Sequence, residues 1–86
     1  MTRETVVFHG GEDQSMKSIA MVIQISSDFA CSIYIEKDGR RANAKSLLGV
    51  LSLGIDSGDE IDIVADGVDE IEAVEKLKAY VSETKR

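Results

Sequence analysis

From Cys31 to Glu36, apolar and polar residues alternate without a break. Cys31, Ile33 and Ile35 point one way, and Ser32, Tyr34 and Glu36 the other. A period of two describes a strand with one buried face. Asp38-Gly39 follows, a dipeptide suited to a two-residue hairpin because both residues tolerate positive φ. Arg40 to Asn43 supplies the returning strand. A chain with this feature must build an antiparallel sheet and find other elements to cover its apolar face.

Those elements read off the remaining pattern. Thr5-Val6-Val7-Phe8 is rich in β-formers and gives the first strand, which Gly10 and Gly11 end. Met16, Ile19, Ala20, Val22 and Ile23 recur at helical spacing, so a helix is expected from about residue 16 to residue 27. Ser15 precedes it, where a hydroxyl can accept from a free backbone N–H. Ser46 to Leu53 is a short apolar helix, with Val50 and Leu53 as its core residues and Gly54 placed for a left-handed terminus. Asp56-Ser57-Gly58-Asp59 is a turn. In the fourth strand Ile61, Ile63 and Ala65 alternate with Asp62, Val64 and Asp66. Asp69 is placed to cap a last helix whose core stripe is Ile71, Val74, Leu77 and Val81. The order is β-α-β-β-α-β-α, expected to form an α+β sandwich with its helices on one face of an antiparallel sheet.

With 86 residues the chain is expected to form one domain, residues 1–86, around a modest core. The net charge of -6 argues against direct binding of nucleic acid, whose phosphates recruit basic surfaces. It serves solubility, and it suits a partner with a basic docking surface. The single cysteine, Cys31, excludes an internal disulfide framework and a multi-cysteine zinc site, and reads as a small buried residue at a strand start. No secretory signal or membrane-spanning run is evident, so a cytoplasmic protein without membrane association is expected. No carboxylate pair stands out for acid–base catalysis. Asp56, Asp59, Glu60 and Asp62 read as turn and strand-edge solvation, and no metal or cofactor is implied.

The run Arg40-Arg41-Ala42-Asn43-Ala44-Lys45-Ser46-Leu47-Leu48-Gly49-Val50-Leu51-Ser52-Leu53-Gly54 resembles the central segment of the HPr family, the histidine-containing phosphocarriers of the sugar phosphotransferase system. Ala65-Asp66-Gly67 resembles that family's strand-to-helix junction. The resemblance covers nearly the whole chain and is weakest from His9 to Ala20. It implies the HPr open-faced sandwich, a four-stranded antiparallel sheet with three helices on one face. It also implies a regulatory phosphorylation site at Ser46, modified by an HPr kinase/phosphorylase.

The family's phosphocarrier site is not matched. Where the family reads roughly Gly-Ile-His-Ala-Arg-Pro-Ala, this chain reads Asp13-Gln14-Ser15-Met16-Lys17-Ser18-Ile19. The histidine slot holds Ser15, the arginine slot Lys17 and the proline slot Ser18. An imidazole nitrogen both accepts a phosphoryl group and gives it up near neutral pH. A serine hydroxyl needs an adjacent base, and its phosphate ester is stable. Lys17 offers a point charge in place of arginine's fork. The pattern is most similar to the catabolite-repression branch of the family, which lacks the histidine and keeps the serine.

That branch implies a non-enzymatic regulator whose phosphoserine form is corepressor to a LacI-type catabolite control regulator. Leu47, Leu48, Leu51 and Lys17 become the partner-binding residues by the same resemblance. Two alternatives are an HPr-like interaction module with another partner and a residual phosphocarrier using Ser15 or His9, the only histidine.

Overall fold

The computed structural model describes residues 1–8, 15–55 and 58–82, with the side chains of 15–18 and of 82 left out. His9, the glycine pair at 10–11, Asp56 and Ser57 of the Asp56–Asp59 turn, Lys85 and Arg86 lie outside the described residues. So do the side chains of Ser15 and Lys17, and with them the expected cap at Ser15.

The elements are β1 (Thr2–Val7), α1 (Ser15–Ser27), β2 (Ser32–Lys37), β3 (Arg40–Asn43), α2 (Leu47–Leu53), β4 (Glu60–Asp66) and α3 (Glu70–Ser82). The sheet order is β1-β4-β2-β3, and every neighbouring pair is antiparallel. This is the expected open-faced sandwich. Asp38 and Gly39 carry the hairpin at φ 53° and 78°.

The covered face of the sheet contributes Val6, Ile33, Ile35, Ala42, Ile61, Ile63 and Ala65 to the core. Facing them are Ile19, Val22 and Ile25 from α1, Val50 and Leu53 from α2, and Ala73, Val74, Leu77 and Val81 from α3. Each fully buried aliphatic side chain contributes about 1.5–3 kcal/mol. Cys31 is buried, and desolvation pushes its thiol up to about 11, which makes it inert at neutral pH.

Five expectations are corrected. β1 begins at Thr2 rather than Thr5, because the pairing with β4 runs from Thr2↔Ala65 to Val7↔Glu60 and recruits the charged Arg3 and Glu4 into the ladder. Phe8 follows the strand and is buried. In α1, Ala20 is exposed and Ile25 is buried in its stead. Val64 points to the open face yet is fully buried; its register neighbours there are Arg3 and Tyr34. Arg3 Nη1 donates to Glu36 Oε1 at 2.8 Å and to Asp62 Oδ2 at 2.6 Å, Arg41 Nε donates to Glu36 Oε2 at 2.8 Å, and the Arg41 guanidinium lies 4.8 Å from the Tyr34 ring centroid. This lattice ties all four strands together, and Arg3, then Arg41, hold the Glu36 carboxyl below its ordinary range.

The fourth correction concerns Ile71, which is 62% exposed instead of belonging to the α3 core stripe; Ala73 fills that role. Asp69 is also differently employed. Its carboxylate accepts from Ala30 N and Cys31 N, both at 3.0 Å, and so holds the α1–β2 connection rather than the first turn of its own helix.

Candidate functional site

Asn43 starts the site. Its Oδ1 accepts from Lys45 N at 2.8 Å, and its carbonyl accepts from Ser46 N at 3.0 Å, which turns the chain sharply out of β3. Ser46 then takes an extended conformation, φ -114° and ψ 117°, as a helix cap requires. Its Oγ accepts from Gly49 N at 3.2 Å. The hydroxyl proton has no part in that bond, and Ser46 is partly open to solvent. Gly49 fits closely here, since an added Cβ would lie 3.4 Å from Ser46 Oγ and 3.5 Å from Ala42 Cβ.

The far end of α2 is equally well tied. Gly54 closes it at φ 68° and ψ 50°, with its N–H on Leu51 O. Two cations of the β2–β3 hairpin reach its terminal carbonyls: Lys37 Nζ donates to Gly54 O at 2.8 Å and Arg40 Nη2 to Ser52 O at 2.5 Å. They face the negative end of the helix dipole, where cations stabilise. Lys37 also pairs with Asp59 at 3.0 Å. The α2 surface is therefore rigidly set by neighbours on β2 and β3, none of which the sequence reading assigned to it.

The leucines of α2 divide by position. Leu53 is buried with Val50, as expected. Leu51 is half-buried and packs against the core. Leu47 is 46% and Leu48 80% exposed, so the outward apolar surface beside the Ser46 hydroxyl is chiefly this adjacent pair. Lys45, which precedes the serine, is spent on structure: its Nζ donates to Phe29 O at 2.8 Å. Ser15 and Lys17 open α1, which packs against α2 and α3. Among the described residues there is no cluster of histidine, cysteine or carboxylates fit to hold a metal, and no helix is long and apolar enough to cross a membrane.

Chemically, the arrangement offers one presented hydroxyl at a capped helix start, flanked by exposed leucines. Among the described residues, the only hydrogen bond to Ser46 Oγ is the one it accepts from Gly49 N.

Comparison with known proteins agrees with this geometry. The family described as "PTS HPr component phosphorylation site" matches residues 4–83. The HPr-like protein Crh of Bacillus subtilis is 45% identical over 64 residues, covering 74% of this chain and 75% of that protein. The crystal structure of the phosphocarrier protein HPr from Bacillus anthracis superposes with a TM-score of 0.85 at 38% identity, covering 93% of this chain and 95% of that one. The crystal structure of Bacillus subtilis Crh gives 0.75 at 38% identity, with coverages of 93% and 88%. With the fold, the capped serine helix and the match over nearly its whole length in agreement, the chain belongs to the HPr family.

Proposed function

We propose that this chain is a non-catalytic regulatory phosphoprotein of carbon catabolite control. An HPr kinase/phosphorylase transfers the γ-phosphoryl group of ATP to Ser46 Oγ: the new O–P bond forms as the bond to ADP breaks, and the hydroxyl proton passes to a base of the kinase. The phosphorylated form is then corepressor or partner of a LacI-type catabolite control regulator. Leu47, Leu48 and Leu51, with Lys17 on α1, form its docking surface.

The observation that carries this reading is the pairing of a partly open cap hydroxyl with the exposed Leu47–Leu48 pair on one short helix. A phosphate on a cap lies beside the free N–H groups of the first turn, so the fold tolerates it while the surface gains about two negative charges. A basic partner reads the charge, and the leucines supply buried area. The Crh relatives support the regulatory assignment over the carrier one. So does Ser15 in the slot where a carrier needs an imidazole.

The test is binding of the regulator to the kinase-treated chain, followed by calorimetry. Wild type is expected to bind only after phosphorylation, Ser46→Ala not at all, and Leu48→Ala weakly although phosphorylated. Equal binding by the untreated chain contradicts the proposal.

A further inference from the structure

Exposed large apolar side chains gather in two places on the described surface. One is the Leu47–Leu48 pair. The other is the junction of β4 and α3, where Val68 is 96% and Ile71 62% exposed. Val68 lies in the turn before α3 and Ile71 in its first turn, and both line one shallow depression of the surface together with Glu72 and Glu75. Met1, also exposed, lies against the same junction, its amine 2.9 Å from Glu70 Oε2.

Neither residue has a structural reason to be apolar. Val68 sits in a turn and Ile71 is β-branched on a helix, where neither is favoured by local propensity, and neither belongs to the core cluster. The acids around them fall into two groups. Asp69 and Glu70 are engaged: Asp69 holds Ala30 and Cys31, and Glu70 accepts from Thr2 Oγ1 at 2.6 Å and Gly67 N at 3.0 Å. Glu72 and Glu75 are exposed and make no hydrogen bond or ion pair among the described residues. Glu75 stands one helical turn beyond Ile71, and both carboxylates border the same depression as Val68 and Ile71. Asp66, at the end of β4, is already paired with the Met1 amine at 3.9 Å.

We propose that the β4–α3 junction is a second docking surface, distinct from α2, for a protein segment that presents an apolar side chain flanked by lysine or arginine at helical spacing. Val68 and Ile71 receive the apolar anchor, and Glu72 and Glu75 receive the cations. The charge complementarity selects this occupant over a second copy of the chain, since a self-contact through this face brings like charges together. A partner here leaves the Ser46 hydroxyl and the leucine pair free.

The test titrates the full ¹⁵N-labelled chain with a synthetic amphipathic peptide of leucine and lysine at helical spacing, followed by amide chemical shifts. Perturbations are expected to centre on residues 66–75, with affinity falling about tenfold or more in Ile71→Ser, as for loss of an interface anchor. Glu72→Gln with Glu75→Gln is expected to weaken binding and flatten its dependence on salt. Unfolding by circular dichroism, unchanged in both variants, separates lost docking from lost fold. Perturbations centred on Leu47 and Leu48, or equal affinity in Ile71→Ser, overturn the proposal. So does concentration-dependent self-association that Ile71→Ser abolishes, which assigns the face to a second copy.

Discussion

Two helix starts in this molecule carry exposed apolar residues, and they use their capping positions in opposite ways. At α2 the cap is local: Ser46 Oγ takes the Gly49 N–H, and Asn43 takes the N–H of Lys45. At α3 the residue in the same position, Asp69, turns its carboxylate away from its own helix to the amides of Ala30 and Cys31. Glu70 likewise reaches Thr2 and Gly67. A local cap keeps a helix start independent and its hydroxyl accessible. A tertiary cap makes the helix start a joint between distant parts of the chain. The difference predicts that the α2 surface changes charge without loosening the fold, whereas Asp69 and Glu70 cannot be altered without loosening β1 and the α1–β2 connection.

The largest expected effect lies at the joint. A Cβ on Gly67 would meet Cys31 Cβ at 2.5 Å and Cys31 Cα at 2.7 Å, at a φ of 153°. Both the backbone and its neighbour must shift, so Gly67→Ala is expected to cost about 3 kcal/mol in urea unfolding. The same-sized loss is expected for Leu53→Ala, which opens a cavity under α2. Should Gly67→Ala unfold like wild type, the joint is looser than its geometry states.

Acid sharpens the contrast next. Thr2 Oγ1 above all, then Gly67 N and the Met1 amine, hold the Glu70 carboxyl down to about 2 from its ordinary 4.5. A group with a depressed folded pKa contributes stability above its unfolded pKa and loses it as pH falls through the folded one. Stability should therefore fall between about pH 4.5 and 2, and Glu70→Gln should flatten that limb in unfolding curves taken across the range. Amide exchange at Ala30 and Cys31 should rise as Asp69, also depressed by the Ala30 N–H, takes up its proton. No change in either readout removes the tertiary cap.

Smaller effects belong to the local cap. Ser46→Ala is expected to cost about 1 kcal/mol, the loss of one helix cap. Leu48→Ala should stay within about 0.5 kcal/mol of wild type, because an exposed leucine leaves no cavity. Buried Ser26 offers a control from α1: its Oγ is buried with no hydrogen-bond partner among the described residues. Removing an unsatisfied hydroxyl relieves its desolvation cost, so Ser26→Ala is expected to raise stability by about 1 kcal/mol in the same unfolding assay.

This contrast also explains what was legible in the sequence. The β3 strand, the Asp38-Gly39 turn, the serine cap and the Gly54 terminus were readable because short-range chemistry decides them. The family resemblance pointed to Leu47, Leu48 and Leu51 together, with Leu48 and Leu51 favoured as the outward pair and Leu47 shared with the core; instead Leu47 stands open beside Leu48 and Leu51 is half-buried. The early start of β1 escaped because ladder pairing overrode propensity. Val64 escaped because an ion-pair lattice, and not a second layer, encloses it. Ile71 escaped because its spacing fits the core stripe, while the helix start turns it outward and gives Ala73 the inner place. The hold of Lys37 and Arg40 on α2, and of Asp69 on Ala30 and Cys31, spans parts of the chain that no local pattern links.

The central claim is that Ser46 is the residue through which this chain is regulated and that it carries no phosphoryl group for transfer. Intact-mass and peptide mass spectrometry after incubation with HPr kinase and ATP, and separately with phosphoenolpyruvate and the general phosphotransferase enzyme, tests it most directly. The account predicts a single acid-stable phosphate on Ser46 in the first reaction, absent from Ser46→Ala, and no label in the second. An acid-labile phosphate on His9, a phosphate on Ser15 in the second reaction, or labelling of Ser46→Ala equal to wild type would contradict it.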